Sequence, residues 1–166
     1  IENDSSQPIA IQASLAKREM DINGVESNSK IGNELSLYPT QLIIPAQEKR
    51  SIKVFWTGSS VPTKELAYRL IAEQLPIELE KNKSKKASIK VLLKYVAALY
   101  VESESFNSDI SIKEVKEQGK KIQIVILNAG KKHQVLSNLS LLFTDDRSNK
   151  KIIFKADELK GMSGEN

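Results

Sequence analysis

Few residues of this chain could take part in covalent chemistry. The only histidine, His133, lies in a polar stretch between Gly130 and Leu136, and the 166 residues include no cysteine. A hydrolytic triad would need this imidazole beside a nucleophile and a carboxylate, and zinc sites use several nitrogen or sulfur ligands. We therefore interpret His133 as structural or exposed, and we expect neither a thiolate metal site nor a redox dithiol.

The other candidate sites also have simple interpretations. Asp145-Asp146 lacks the spacing of a calcium loop, and the seven glycines are too scattered for a phosphate-binding loop. Trp56 could serve as a platform for a ligand, but its register with Ile52 and Val54 favours a core position. We predict no enzyme, no cofactor and no small-molecule substrate. The alternative of a hydrolase on a β-sandwich scaffold would have a pair of carboxylates as its only basis for catalysis.

The charge of the chain is small and concentrated in one tract. The formal net charge is +4, and most of it comes from Lys81, Lys83, Lys85 and Lys86. Aromatic residues make up only 5%, and no motif for reading nucleic acid is present, so we do not expect a nucleic-acid partner. We interpret the tract as a solvated loop, with a binding patch as the alternative. No apolar run approaches the roughly 18 residues that would span a bilayer.

Alternating apolar residues predict that the chain consists of β-strands. The segment 63–76 would also suit a helix, but β patterns surround it and we choose a strand. The polar segment 21–30 is predicted to be a turn or loop. Short strands at intervals of about ten residues indicate an all-β sandwich. The predicted strands cover residues 8–15, 34–44, 51–57, 63–76, 88–101, 110–115, 121–127, 134–143 and 151–156.

The segment 102–109, with the sequence ESESFNSD, has the composition of a linker. We therefore expect two immunoglobulin-like β-sandwich domains, covering residues 1–103 and 104–166. Such a domain needs about 100 residues and seven strands. The first part nearly reaches that size and the second does not. We expect the first strand of the first domain to be missing and the second domain to be incomplete in this chain.

The segment 88–101 is apolar on both faces, which is unusual for a strand in a small protein. Ile89, Val91 and Leu93 share one register, while Leu92 and Val96 belong to the other face. Such a strand must be buried on both sides or must lend one side to a partner. We favour the second interpretation, because an exposed apolar edge promotes aggregation unless a partner covers it.

The order of several short motifs resembles the periplasmic chaperones of the chaperone-usher pathway, which assemble pili and fimbriae. The run 89–101, which contains Lys94-Tyr95, resembles the last strand of the family's first domain. Its form is more similar to the archaic or alternative branch of the family than to the best-known branch. The resemblance covers most of the chain. The motifs are NDSSQPIAIQ (3–12), LSLYPTQLIIPAQEKRSIKVFW (35–56), ELAYRL (65–70) leading to Leu75-Pro76, the run 89–101, and an N-x-G-x-x-H segment formed by Asn128, Gly130 and His133.

This resemblance implies a mechanism in which a strand is donated to a partner. Ile89, Val91 and Leu93 would fill the open groove of a fimbrial subunit that lacks its last strand. Lys94 is the candidate for anchoring the carboxylate at the subunit's C-terminus. Lys53 and Glu65 match positions that help to fix the angle between the family's two domains, and a plain surface role is the alternative for this pair.

The function implied by the resemblance is that of a chaperone without enzymatic activity. It would act in the periplasm, cap fimbrial subunits and deliver them to an outer-membrane usher, and we also consider self-association through the donor strand. The alternative is an adhesive or structural immunoglobulin-like module of a surface protein. The chaperone and the adhesive module are distinguished by the face that carries Ile89, Val91 and Leu93. A chaperone exposes this face, whereas an adhesive module covers it with its own second sheet.

Overall fold

The chain is an all-β protein, as the alternating pattern predicts. The computed structural model describes residues 1–58, 60–76, 91–137, 139–145, 147–155 and 158. Within these residues there is no helix with the length and apolar character needed to cross a membrane. The strands are β1 Glu2–Asn3, β2 Ile9–Met20, β3 Glu26–Lys30, β4 Leu35–Tyr38, β5 Gln41–Ile44, β6 Glu48–Lys49, β7 Lys53–Trp56, β8 Leu66–Leu75, β9 Lys94–Val101, β10 Ile110–Gln118, β11 Lys121–Asn128, β12 Ser140–Thr144 and β13 Lys151–Lys155.

The largest sheet is built around β2 and β8. These two strands pair antiparallel from Ala10 opposite Leu75 to Lys17 opposite Tyr68. The strand order is β3-β2-β8-β9, and β5 also pairs antiparallel with the beginning of β2. The prediction of a strand within 63–76 is confirmed. Periodicity did not distinguish it from a helix, and the long pairing with β2 is what stabilises the extended form.

A small apolar core lies on this sheet. Ile11, Ile44 and Ala72 are buried together, with Ile9 and Leu42 packed against them. Their positions follow from register, because Ile11 stands opposite Leu42 and Ile9 stands opposite Ile44. Ile44 is completely buried, and the burial of such a side chain stabilises a fold by about 1.5–3 kcal/mol.

The segment 34–44 does not form one continuous strand. It divides at Pro39 into β4, which pairs with β7, and β5, which pairs with β2. The core position predicted for Trp56 is wrong, since 37% of this residue is exposed. Its ring occupies the space where a side chain at Gly58 would stand, so it covers the local backbone.

The prediction of a loop over 21–30 is correct only in its first half. Asp21 accepts hydrogen bonds from the backbone N–H groups of Asn23 and Val25, and Gly24 has a φ of 79°, as a turn requires. The second half is strand β3, which pairs with β2 although all five of its residues are exposed.

The last third of the described chain forms two hairpins. Strands β10 and β11 pair from Ile110 opposite Asn128 to Gln118 opposite Lys121, with a bulge between Ile112 and Glu114. The two-residue loop begins with Gly119, whose φ of 62° suits a tight hairpin turn. Strands β12 and β13 form the second hairpin, in which the rings of Phe143 and Phe154 meet edge to face.

The chain divides into two compact units. The first comprises residues 1–18, 28–60 and 67–100, and the second comprises 19–27, 61–66 and 101–166. The division into domains 1–103 and 104–166 stays a prediction.

Candidate functional site

Strand β9 forms one edge of the large sheet in the described part of the chain, because its neighbour there is β8. The pairing extends beyond the first residue of β9, since the backbone N–H of Gln74 donates to the carbonyl oxygen of Leu93 at 2.8 Å. The strand predicted over 88–101 therefore begins at Lys94, with Val91 to Leu93 leading into it. Ile89 lies outside the described residues.

Val91 and Leu93, two of the three predicted donor residues, lie at the surface. Val91 is 74% exposed and Leu93 is 48% exposed. Leu92, Tyr95 and Val96 are exposed as well, so both faces of the segment present apolar surface. Because every second side chain of a strand points to the same face, a strand added at this edge would meet apolar groups on either side.

A depression of about 320 Å³ adjoins the start of this segment. Val91 and Leu92 line one part of it, residues 74–76 line another, and residues 5–9 complete its wall. The apolar surface thus continues from the edge strand onto the end of β8.

Lys94 has a carboxylate neighbour within the same sheet. Its Nζ atom lies 2.6 Å from Oε1 of Glu73 in β8. About half of each side chain is exposed, so the lysine remains accessible from solvent. Its predicted role as an anchor for a subunit carboxylate stays a prediction.

The two members of the predicted angle-fixing pair have different partners. Lys53 lies in β7 opposite Tyr38. Glu65 is buried, with 6% of its side chain exposed, and its Oε1 lies 2.7 Å from Nδ1 of His133. The same oxygen accepts a hydrogen bond from the backbone N–H of His133 at 3.3 Å. The interdomain role of Lys53 and Glu65 stays a prediction.

The N-x-G-x-x-H motif is a turn that presents His133 to Glu65. The side chain of Asn128 accepts hydrogen bonds from the N–H groups of Gly130 and Asp109 and donates to the carbonyl oxygen of Lys132. A Cβ atom at Gly130 would collide with the backbone of residues 107–109, which explains the glycine. The turn itself could be predicted from the residue types of the motif, but the contact of His133 with Glu65 could not.

A second charged pair lies in the same unit. The Nζ atom of Lys132 is 2.9 Å from Oε1 and 2.7 Å from Oε2 of Glu102. This ammonium group holds the pKa of Glu102 below its ordinary value. Sequence reasoning treated Glu102 as part of a linker and missed the pair, because the two residues are 30 positions apart.

Known proteins of similar sequence give no assignment, since neither a protein-family model nor a curated protein matches the chain. Solved structures show which fold the chain shares. The crystal structure of CfaA, a class 5 fimbriae chaperone, superposes with a TM-score of 0.63 at 21% identity, covering 93% of this chain and 73% of that one. The chain has the fold of the fimbrial chaperones.

Chains from two complexes show the same similarity of fold. A chain of the chaperone–tip adhesin complex of CFA/I fimbriae matches with a TM-score of 0.63 at 21% identity, covering 93% of this chain and 72% of that one. A chain of the CsuC–CsuE pre-assembly complex, from archaic chaperone-usher Csu pili of Acinetobacter baumannii, matches with 0.61 at 19%, covering 93% and 76%. The immunoglobulin-like fold predicted from the spacing of the strands is therefore confirmed, and so is the resemblance to fimbrial chaperones at the level of fold.

Proposed function

We propose that this protein is a periplasmic chaperone that binds fimbrial subunits through the edge strand β9 and the segment leading into it, and delivers them to an outer-membrane usher. The fold supports this proposal, because it is shared with a fimbriae chaperone and with chains of two chaperone–subunit complexes. The proposed role requires neither a cofactor nor catalysis.

The observation that carries the proposal is the exposure of Val91 and Leu93 at the edge of a sheet. A strand of the subunit that is added at this edge would form main-chain hydrogen bonds with β9. The sheets of the subunit would then cover the apolar side chains. Burial of the exposed parts of these two side chains contributes about 2–4 kcal/mol, compared with at most about 1 kcal/mol for an exposed ion pair. Affinity would therefore come from the apolar residues.

The same exposure favours a chaperone over an adhesive or structural module. In such a module the second sheet of the protein would cover this face, and Val91 and Leu93 would be buried. Their exposed state supports a surface that is completed by another polypeptide. Ile89 is the third residue of the proposed donor set.

The test is to replace Val91 and Leu93 together with Asp and to co-express the variant with a cognate fimbrial subunit. We expect the subunit to be lost from the purified complex, because two carboxylates cannot enter an apolar groove without a large desolvation penalty. Ile89→Asp tests the third donor residue in the same way.

A matched control is Val115→Asp, which places the same charge on an exposed apolar position of β10. This variant should bind the subunit as the unmodified chain does. Undiminished recovery of the subunit with the Val91→Asp/Leu93→Asp variant would refute the proposed function.

A further inference from the structure

The turn between β2 and β3 contains Asn23 and Gly24, and no other asparagine of the chain is followed by glycine. Both residues are exposed. Little packs against the turn, since Ile22 is 91% exposed and a Cβ atom at Gly24 would meet nothing within 4 Å. The conformation of this turn therefore depends on hydrogen bonds and not on apolar packing.

An asparagine followed by glycine can lose its side-chain amide without an enzyme, and asparagine is a thermolabile residue. The backbone nitrogen of Gly24, after giving its proton to water, would attack the Cγ atom of Asn23. The new C–N bond closes a cyclic imide, the bond from Cγ to Nδ2 breaks, and the leaving nitrogen takes up a proton and departs as ammonia. Water then opens either carbonyl of the imide, which gives aspartate or isoaspartate. Glycine favours the attack because it has no Cβ atom to obstruct the approach.

Asp21 opposes this reaction in the folded protein. Its carbonyl oxygen accepts the N–H of Gly24 at 3.0 Å, so the proton that must leave is held in a hydrogen bond. Its Oδ1 atom accepts the N–H groups of Asn23 at 2.8 Å and Val25 at 2.9 Å. The hydrogen bond from Val25, together with those from Asn23 and Gly24, lowers the pKa of Asp21, so this carboxylate is ionised at neutral pH. A negative charge in the turn makes the loss of a proton from its backbone less favourable.

We propose that Asn23 is a site of spontaneous deamidation and that the turn held by Asp21 sets its rate in the folded protein. The attack requires local opening of the turn, which breaks the hydrogen bonds to Asp21. Aspartate would add a second carboxylate beside Asp21, and isoaspartate would lengthen the backbone. Strand β3 exposes all five of its residues, so either product should weaken its pairing with β2.

The experiment incubates the full chain at mildly alkaline pH, in buffer and in concentrated urea, and measures aspartate and isoaspartate at each asparagine by proteolysis and mass spectrometry. In urea Asn23 should react faster than Asn33, which is exposed and followed by glutamate. Folding should slow the reaction at Asn23 by at least about fivefold, because three hydrogen bonds must open. Asp21→Ala removes two of them and should react at least about threefold faster than the unmodified chain in buffer, and equally fast in urea. Gly24→Ala should lose most of the product in urea.

A matched control is Asp145→Ala. Asp145 also lies in an exposed turn, and its Oδ1 atom accepts the N–H of Arg147 at 2.9 Å. This variant should leave the rate at Asn23 unchanged, and an equal acceleration by both variants would overturn the inference by pointing to a general loss of stability. An unchanged rate of Asp21→Ala in buffer would overturn it as well. So would an absence of product at Asn23 in urea, or equal rates in buffer and in urea.

Discussion

The Nδ1 atom of His133 lies 2.7 Å from Oε1 of Glu65, although the two residues are 68 positions apart in the chain. The backbone N–H of Glu65 donates in turn to the carbonyl oxygen of Lys131 at 2.8 Å. Together with the hydrogen bond from the His133 N–H, these contacts fasten the segment before β8 to the turn that follows β11. His133 is therefore a structural residue, and its partner is a buried carboxylate.

Replacing Glu65 with Ala should lower the free energy of unfolding by about 1–3 kcal/mol, since it removes an acceptor of two hydrogen bonds from partly buried donors. Urea unfolding followed by circular dichroism measures the change. Glu104→Ala is the control, because Glu104 is exposed and its substitution should change stability by less than about 0.5 kcal/mol. Equal effects of the two substitutions would show that the contact with His133 contributes nothing to the fold.

The strands that sequence patterns predicted best are those whose side chains alternate between water and the core. Strand β2 is an example, because Ile11 and Ala13 are buried while Gln12 is exposed. Strand β3 has the sequence ESNSK and buries nothing, so it carries no such pattern. Its extended form depends on backbone pairing with β2, which a local sequence cannot reveal.

The apolar part of the candidate site could be predicted from the sequence, whereas the partner of Lys94 within the sheet could not. The two-faced pattern around Val91 and Leu93 is a local property of the sequence, and both residues are exposed in the structure. The contact of Lys94 with Glu73 depends on the register of β9 against β8, which is fixed where Gln74 donates to Leu93. The 16 residues between Gln74 and Val91 leave this register undetermined from the sequence alone.

The ion pair of Glu102 and Lys132 should make stability depend on pH in the acidic range. The ammonium group lowers the pKa of Glu102 from 4.5, so the pair contributes stability above that value and loses it as pH falls through the lowered pKa. Urea unfolding from about pH 7 to about pH 3 should show that Glu102→Gln is less stable than the unmodified chain near neutrality and that the difference disappears in acid.

The substitution Lys132→Met supplies the control for this titration. Without the ammonium group, which is the largest cause of the lowered pKa, Glu102→Gln should produce a smaller difference that depends on pH. A difference that stays the same from neutral to acidic pH in the unmodified background would argue against the pair as its source.

Replacing Asn3 with Asp, which has nearly the same shape but carries a negative charge, should destabilise the fold. It is buried, and its Nδ2 atom donates to the carbonyl oxygens of Gln7, Ile44 and Pro45 at 2.9–3.0 Å. Asn3→Asp would replace this donor with a carboxylate oxygen that faces three acceptors, whereas Asn3→Ala only leaves them unpaired. We expect Asn3→Ala to cost about 1–3 kcal/mol of stability and Asn3→Asp to cost more.

Thermal unfolding at neutral pH compares these variants, and Asn33→Asp is the control. Asn33 is exposed, so the same change of charge there should alter stability by less than about 0.5 kcal/mol. If Asn3→Asp unfolds at a higher temperature than Asn3→Ala, the three carbonyl contacts do not determine the role of this residue.

Tyr68 should make stability depend on pH in the alkaline range. Its ring is buried in β8, its hydroxyl group lies 3.4 Å from Oε1 of Glu34, and burial raises its pKa from 10.0 to about 12. The unfolded chain therefore loses this proton first, and stability that is complete below pH 10 is lost as pH rises toward 12. Tyr68→Phe has no such proton, so its unfolding free energy should fall less steeply over this range while staying within about 1.5 kcal/mol of the unmodified chain near neutrality. Tyr38, Tyr95 and Tyr100 are present in both proteins, so their titration cancels in the comparison. Parallel curves for the two proteins between about pH 9 and about pH 11 would contradict the raised pKa of the buried phenol.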